Sequence, residues 1–217
     1  MNTNHRLFGK NPPPVRVHME EASAVEQLSA QLYEMTENHI RRDLVVVCIG
    51  TDRSTGDSLG PLIGSKLENE SLRRFHIYGT LASPVHAVNL EERYAEILKN
   101  HYRPFILAID ACLGRTTSVG KISLAEGPVQ PGAAVQKSLP AIGDIHITGI
   151  VNVGGMMEYF VLQNTRLHTV MQMADTIATT IKATDDRLPD LSPTASLLRS
   201  LRLKPSLELK RQNETPM

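Results

Sequence analysis

The run Leu44-Val45-Val46-Val47-Cys48-Ile49 stops on Gly50, gives way to a polar loop, and resumes as a helix start at Leu59-Gly60-Pro61. A short β-branched run with no polar alternation is a strand covered on both faces, as in a parallel sheet. The unit then repeats: a helix from about 59 to 70, a strand over 75–79, a helix over 90–100 and a strand over 105–110. Leu59, Leu62, Ile63 and Leu67 share one helical face, and Pro61 falls in the first turn, where a missing N–H does no harm. Strand and helix in alternation predict a three-layer α/β/α sandwich with a largely parallel sheet.

Upstream, Val25, Leu28, Leu32 and Met35 form one stripe of an amphipathic helix. Downstream, 119–124 and 145–153 read as strands, with a hairpin or long loop over the intervening Gly/Pro-containing stretch. A short helix from Met156 to about Gln163 follows, and then a sustained stripe from Leu167 to Ile181. The polar opening with Pro12-Pro13-Pro14 predicts a flexible arm over 1–20, a single domain over 21–185 and a weakly ordered tail over 186–217.

Composition removes several functions. Lys plus Arg and Asp plus Glu each total 23, so no net charge draws the chain to nucleic acid or to an anionic membrane. Aromatics make up 4% and Trp is absent, which leaves little for stacking on single strands. No apolar stretch approaches the roughly 20 residues of a membrane span, and the first residues lack a secretion-signal core; a cytoplasmic protein is expected. Cys48 and Cys112 have no CxxC or zinc spacing and read as reduced, mostly buried thiols.

The loop Gly50 to Pro61 lies where α/β folds place their ligands, at the carboxyl end of a strand. It is not a phosphate cradle. Five residues, not four, separate Gly50 from Gly56, and Asp57 stands where a phosphate-binding lysine would be. Asp110 closes the apolar run that begins at Phe105 and is pushed toward the same crevice, so Asp57 and Asp110 are expected to meet. Taken singly, each acid could instead cap a helix or anchor a loop. Two close carboxylates cannot both ionise cheaply; one keeps a proton and serves as acid while the other serves as base. His146 could add an imidazole to complete a three-ligand set for a divalent metal with an open water position. Cys112 competes as nucleophile, but no histidine lies near it in sequence, and a buried thiol is the simpler reading. Asp52 and Arg53 read as a solvated pair, and His76, His86 and His101 as ordinary residues without partner spacing.

The segment Thr55-Gly56-Asp57-Ser58-Leu59-Gly60-Pro61 resembles the glycine loop of the bacterial spore germination protease, which degrades small acid-soluble spore proteins. Ile109-Asp110-Ala111 resembles that family's second acidic motif, and the Pro131-Gly132 segment is similar too. The whole run GTDRSTGDSLGP resembles the YyaC-type sporulation protein family over roughly residues 25 to 185. Both groups are similar to hydrogenase maturation endopeptidases, and this resemblance implies metal ligands at Asp57, Asp110 and His146, the last in a His-x-Thr-Gly run. The maturation enzymes usually carry Glu at the place of Asp57 and an acid at the place of Gly56, so the nickel-binding pattern is incomplete here.

Together these readings imply a sporulation-associated endopeptidase of the forespore or mother-cell cytoplasm, with Asp57 and Asp110 as the catalytic pair. The expected partner is a protein or peptide substrate, with self-association left open and neither nucleic acid nor membrane involved. No cofactor is required by this reading; a divalent metal belongs to the maturation-type alternative. The other alternative is a regulatory sporulation protein that binds a peptide on a protease fold without cutting it.

Overall fold

The computed structural model describes residues 13–131 and 140–190. Six strands form one sheet: β1 (Val15–His18), β2 (Leu44–Cys48), β3 (Phe75–Tyr78), β4 (Phe105–Gly114), β5 (Lys121–Glu126) and β6 (Ile145–Val153). Their order across the sheet is β1-β5-β6-β4-β2-β3. The run β6-β4-β2-β3 is parallel, while β5 and β1 add antiparallel strands at one edge.

Every residue of β2 is buried because both faces of the sheet are covered. On one face lie α1 (Ala24–Thr36), α2 (Leu59–Glu68) and α5 (Leu167–Arg187). Their Leu28, Leu32, Leu59, Ile63, Val170 and Ile177 pack on Leu44, Val46, Leu107, Ile109 and Ile147. On the other face α3 (Leu90–Asn100) lays Leu90 and Ile97 against Val45, Val47, Ile106 and Ala108. Odd and even positions of β2 and β4 thus feed opposite cores, as a period of two requires. The fold is the expected three-layer α/β/α sandwich with a mostly parallel sheet. Among the described residues, no helix is long and apolar enough to cross a membrane.

Two boundaries differ from expectation. The predicted arm over 1–20 contains β1, which pairs Val15 with Leu124 and His18 with Lys121 and buries Val17 in the main core. Its VRVH alternation suits an edge strand with one covered face. The rest of the arm through residue 12, and the tail from 191, lie outside the described residues. The second difference is β4, which runs four residues past Asp110 because β6 pairs with it up to Val153, across a register shift between Cys112 and Leu113. In the predicted hairpin, Val129 and Ile142 exchange both backbone hydrogen bonds, at 2.9 and 3.0 Å, and 132–139 lie outside the described residues. The helix after β6 is α4 (Glu158–Gln163).

Candidate active site: an acid pair at the carboxyl end of the sheet

β2 leaves the sheet one residue before β4 reaches Asp110: Cys48 pairs with Ile109, and Ile49 N–H donates to Ile109 O at 2.7 Å. That step opens the crevice in which Asp110 sits, half-buried. The departing loop is folded tightly over it. Thr51 N–H donates to Asp57 O at 3.1 Å, closing the loop on a short 3-10 turn, Gly56–Ser58. Two glycines permit this closure. Gly50 has φ +146, and a Cβ there would lie 2.0 Å from Asp57 O; a Cβ on Gly60 would lie 2.1 Å from Ile49 O. Loop and helix start are pressed onto the strand end at contacts only glycine allows, which fixes where Asp57 sits.

The Asp57 carboxylate is not spent on capping. Neither the 3-10 turn nor α2 has a side-chain cap hydrogen bond. Burial raises its pKa, and the Ser54 hydroxyl beside it partly offsets that rise. The contact falls short of a formed hydrogen bond, so Ser54 Oγ is buried without a partner. Asp110 is pushed up to about 8, first by burial and then by the Asp57 charge, with the Ala111 N–H pulling the other way. At neutral pH the pair therefore holds a proton, with Asp110 the more strongly raised of the two. This is the electrostatic signature of two carboxyls sharing one site, and their titration belongs to the pair.

Cys112 is two residues farther along the same face of β4. Its thiol is pushed up to about 11 by burial and then by Asp110, with a Thr148 hydrogen bond opposing. Cys48 is fully buried and its thiol is pushed up farther. Neither is poised as a thiolate.

His146 is not gathered with the acids. It pairs with Ala108, a full two-residue step below the Asp110–Thr148 pair, and its Nδ1–H donates to Gly127 O at 2.8 Å. Among the described residues, one group of three has ligand atoms all within 4.8 Å of one another, and it is Asp43, His76 and His101. The three-ligand set expected of Asp57, Asp110 and His146 is thus not assembled in this arrangement. Sequence spacing placed His146 on the correct strand but not at the correct height along it.

Past the end of β6 lies an apolar surface with no counterpart among the residues singled out from the sequence. Met156, Met157, Tyr159 and Phe160 are exposed on the turn after β6 and on α4. With Asn152, Val153, Gly154, Val161 and Asn164, three of them line an open depression of about 540 Å³. The opposite side of α4 rests on the Asp57 turn, where a Cβ on Gly56 would lie 2.7 Å from Leu162 Cδ2. Four large apolar side chains left in water on the outer side of the helix that packs on the Asp57 turn suit a surface that receives a chain.

Comparison with known proteins places the chain. A family described as "Protein of unknown function (DUF1256)" matches residues 16–180. The "Uncharacterized protein YyaC" of Bacillus subtilis (strain 168) is 56% identical over 165 residues, which cover 76% of this chain and 80% of that protein. The structure is similar to that of the NiFe hydrogenase maturation protease HycI from Thermococcus kodakarensis KOD1, with a TM-score of 0.44 and 17% identity, over 70% of this chain and 99% of that one.

Proposed function

The chain belongs to the DUF1256 family, and from that premise we propose that it is a sporulation-associated endopeptidase, acting in the forespore or mother-cell cytoplasm with Asp57 and Asp110 as its catalytic pair. The observation that carries the reading is Asp110 held protonated beside Asp57 in a crevice at the strand ends. Asp57, as carboxylate, takes a proton from a water molecule that attacks the peptide carbonyl. Asp110, as acid, donates to the carbonyl oxygen as negative charge develops there; when the C–N bond breaks, the proton gained by Asp57 passes to the leaving amine and a hydroxyl proton of the tetrahedral diol returns to Asp110, restoring both groups. Atoms balance as one water consumed per bond cut. The unpartnered Ser54 hydroxyl faces the same space and can hold the water or the Asp57 carboxylate in line. His146 takes no part.

The exposed Met156, Met157 and Phe160 supply an adaptable surface for an extended polypeptide. That patch also suits a protein that holds a peptide without cutting it. Both readings are tested by incubating the purified full chain with small acid-soluble spore proteins and following cleavage and binding together. Endopeptidase activity that drops about 100-fold or more in Asp57→Asn supports the acid pair. Undiminished cleavage in that variant overturns it. Binding without products from either protein supports the non-catalytic reading.

A further inference from the structure

We propose that Asp43, His76 and His101 form a binding site for a divalent first-row transition ion of the zinc class, at the amino ends of the strands. This site is separate from the acid pair and stands whether or not the chain cuts peptides. Sequence spacing offers no hint of it, since the three residues come from three different elements. Asp43 immediately precedes β2, His76 lies in β3, and His101 is the residue after α3. The parallel register sets Val45 beside His76, and the β3 alternation sends His76 and Tyr78 to the face covered by α3 while Phe75 and Ile77 go to the other core. The helix runs back along that face and delivers His101 to the same corner.

One donor atom from each residue lies within 4.8 Å of the other two. Asp43 Oδ2 and His101 Nδ1 are 3.0 Å apart. Two donors each about 2.0 to 2.1 Å from one tetrahedral zinc stand about 3.3 Å apart, so this pair is already near its bound spacing. The His76 and His101 rings are tilted at 47° with centroids 4.7 Å apart, which lets the second imidazole turn a nitrogen into the same space.

Tyr78 adds the outer contact that metal-binding imidazoles require. Its hydroxyl is 2.9 Å from His101 Nε2. Without an ion, Nδ1–H donates to Asp43 Oδ2 and Nε2 accepts from the Tyr78 hydroxyl; binding an ion exchanges the tautomer, so that Nε2–H donates to the Tyr78 oxygen and the Nδ1 lone pair faces the ion. His101 is buried, whereas His76 and Asp43 are exposed, so the ring is held in place while the ion has an open path. Two imidazoles and one carboxylate favour zinc and its neighbours over magnesium or calcium, and three protein ligands leave a fourth position for water. Arg74 is the opposing charge, and its guanidinium is engaged by Ile40 O at 2.6 Å and Pro189 O at 2.9 Å.

The test uses tag-free, chelator-treated full-length protein titrated with zinc chloride against a chromophoric chelator, with magnesium chloride as the hard-cation control. The expected result is one zinc per chain at micromolar affinity or tighter, unaffected by millimolar magnesium. Affinity should fall about tenfold or more in His76→Ala and in Asp43→Asn, two exposed positions whose folding is confirmed by circular dichroism. Asp57→Asn should bind as the wild type does. No zinc binding by the wild type, or binding undiminished in both His76→Ala and Asp43→Asn, overturns the site. Binding lost in Asp57→Asn instead also overturns it and moves the metal to the acid pair.

Discussion

Two carboxylates of this fold are withdrawn from water at opposite ends of the sheet, and their surroundings differ. Asp185, near the end of α5, is fully buried and saturated with donors: Oδ2 accepts Arg73 N–H at 2.8 Å, and Oδ1 accepts Arg74 N–H at 2.8 Å and Phe75 N–H at 3.2 Å. The Arg73 guanidinium lies 3.9 Å from Oδ2 and donates to the Asp185 carbonyl at 2.8 Å. Asp110 has one opposing backbone hydrogen bond, from Ala111, and faces another carboxylate. Burial with donors gives a structural acceptor that staples α5 to the start of β3. Burial without them gives a group that keeps its proton at neutral pH, and such a group can donate it.

The sharpest way to break this contrast is at Asp185. Asp185→Asn puts an amide nitrogen against backbone N–H groups that need an acceptor, and leaves at least one of them unpaired in the core. The expected cost is about 3 kcal/mol of folding stability, read as a lower urea midpoint at unchanged slope. A loss below about 1 kcal/mol would mean that the three N–H contacts do not account for this carboxylate.

A pH-dependent effect, opposite in sign, is expected at the acid pair. An Asp whose folded pKa is near 8 holds a proton that the unfolded chain releases near pH 4. Between those limits the unfolded state binds fewer protons than the native state, so stability falls as pH rises, by at most about 1.4 kcal/mol per unit. The contribution is fully present below about pH 4 and gone above about pH 8. Asp110→Asn carries no such proton. The difference in unfolding free energy between wild type and Asp110→Asn should therefore decline across that window and level off above it. Parallel curves from pH 4 to 8 would show that Asp110 titrates normally and would remove the acid from the proposed mechanism.

The parts of this contrast were unequally legible in the amino-acid sequence. Asp57 and Asp110 could be found because one lies in the loop that follows a buried apolar run and the other closes a second such run, and the carboxyl ends of strands in a parallel sheet converge on one crevice. The extension of β4 through Ala111 to Gly114 could not, because an acid closing an apolar run reads as a strand end, and only the long partner β6 carries the pairing farther. Val15 and Val17 were hidden behind Pro12-Pro13-Pro14, whose stiffness suggests an arm although an edge strand follows directly. His146 exposes a sharper limit. Alternation shows which face a side chain takes, but height along the strand depends on register, and register placed Thr148, not His146, opposite Asp110. His76 and His101 read as ordinary because their meeting depends on where α3 ends over β3, which no local spacing encodes.

The smallest expected effect separates the acids from the thiol that shares their face of β4. Cys112 titrates near 11, so roughly one thiol in 10³ is ionised at pH 8, and no histidine or arginine enters among the causes of its shift to draw out the thiolate. Its nearest charged influence is Asp110, which opposes ionisation. Cys112→Ala should keep peptide cleavage within about twofold of wild type, since the mechanism uses water and two carboxyls and forms no acyl-enzyme. Iodoacetamide at pH 8 should likewise react slowly with the native protein and leave cleavage intact until the chain unfolds. Abolished cleavage in Cys112→Ala, with the fold preserved by circular dichroism, would transfer the nucleophile from water to sulfur. The raised Asp110 would then become the acid that protonates the leaving amine, and the acid pair would survive with one role in place of two.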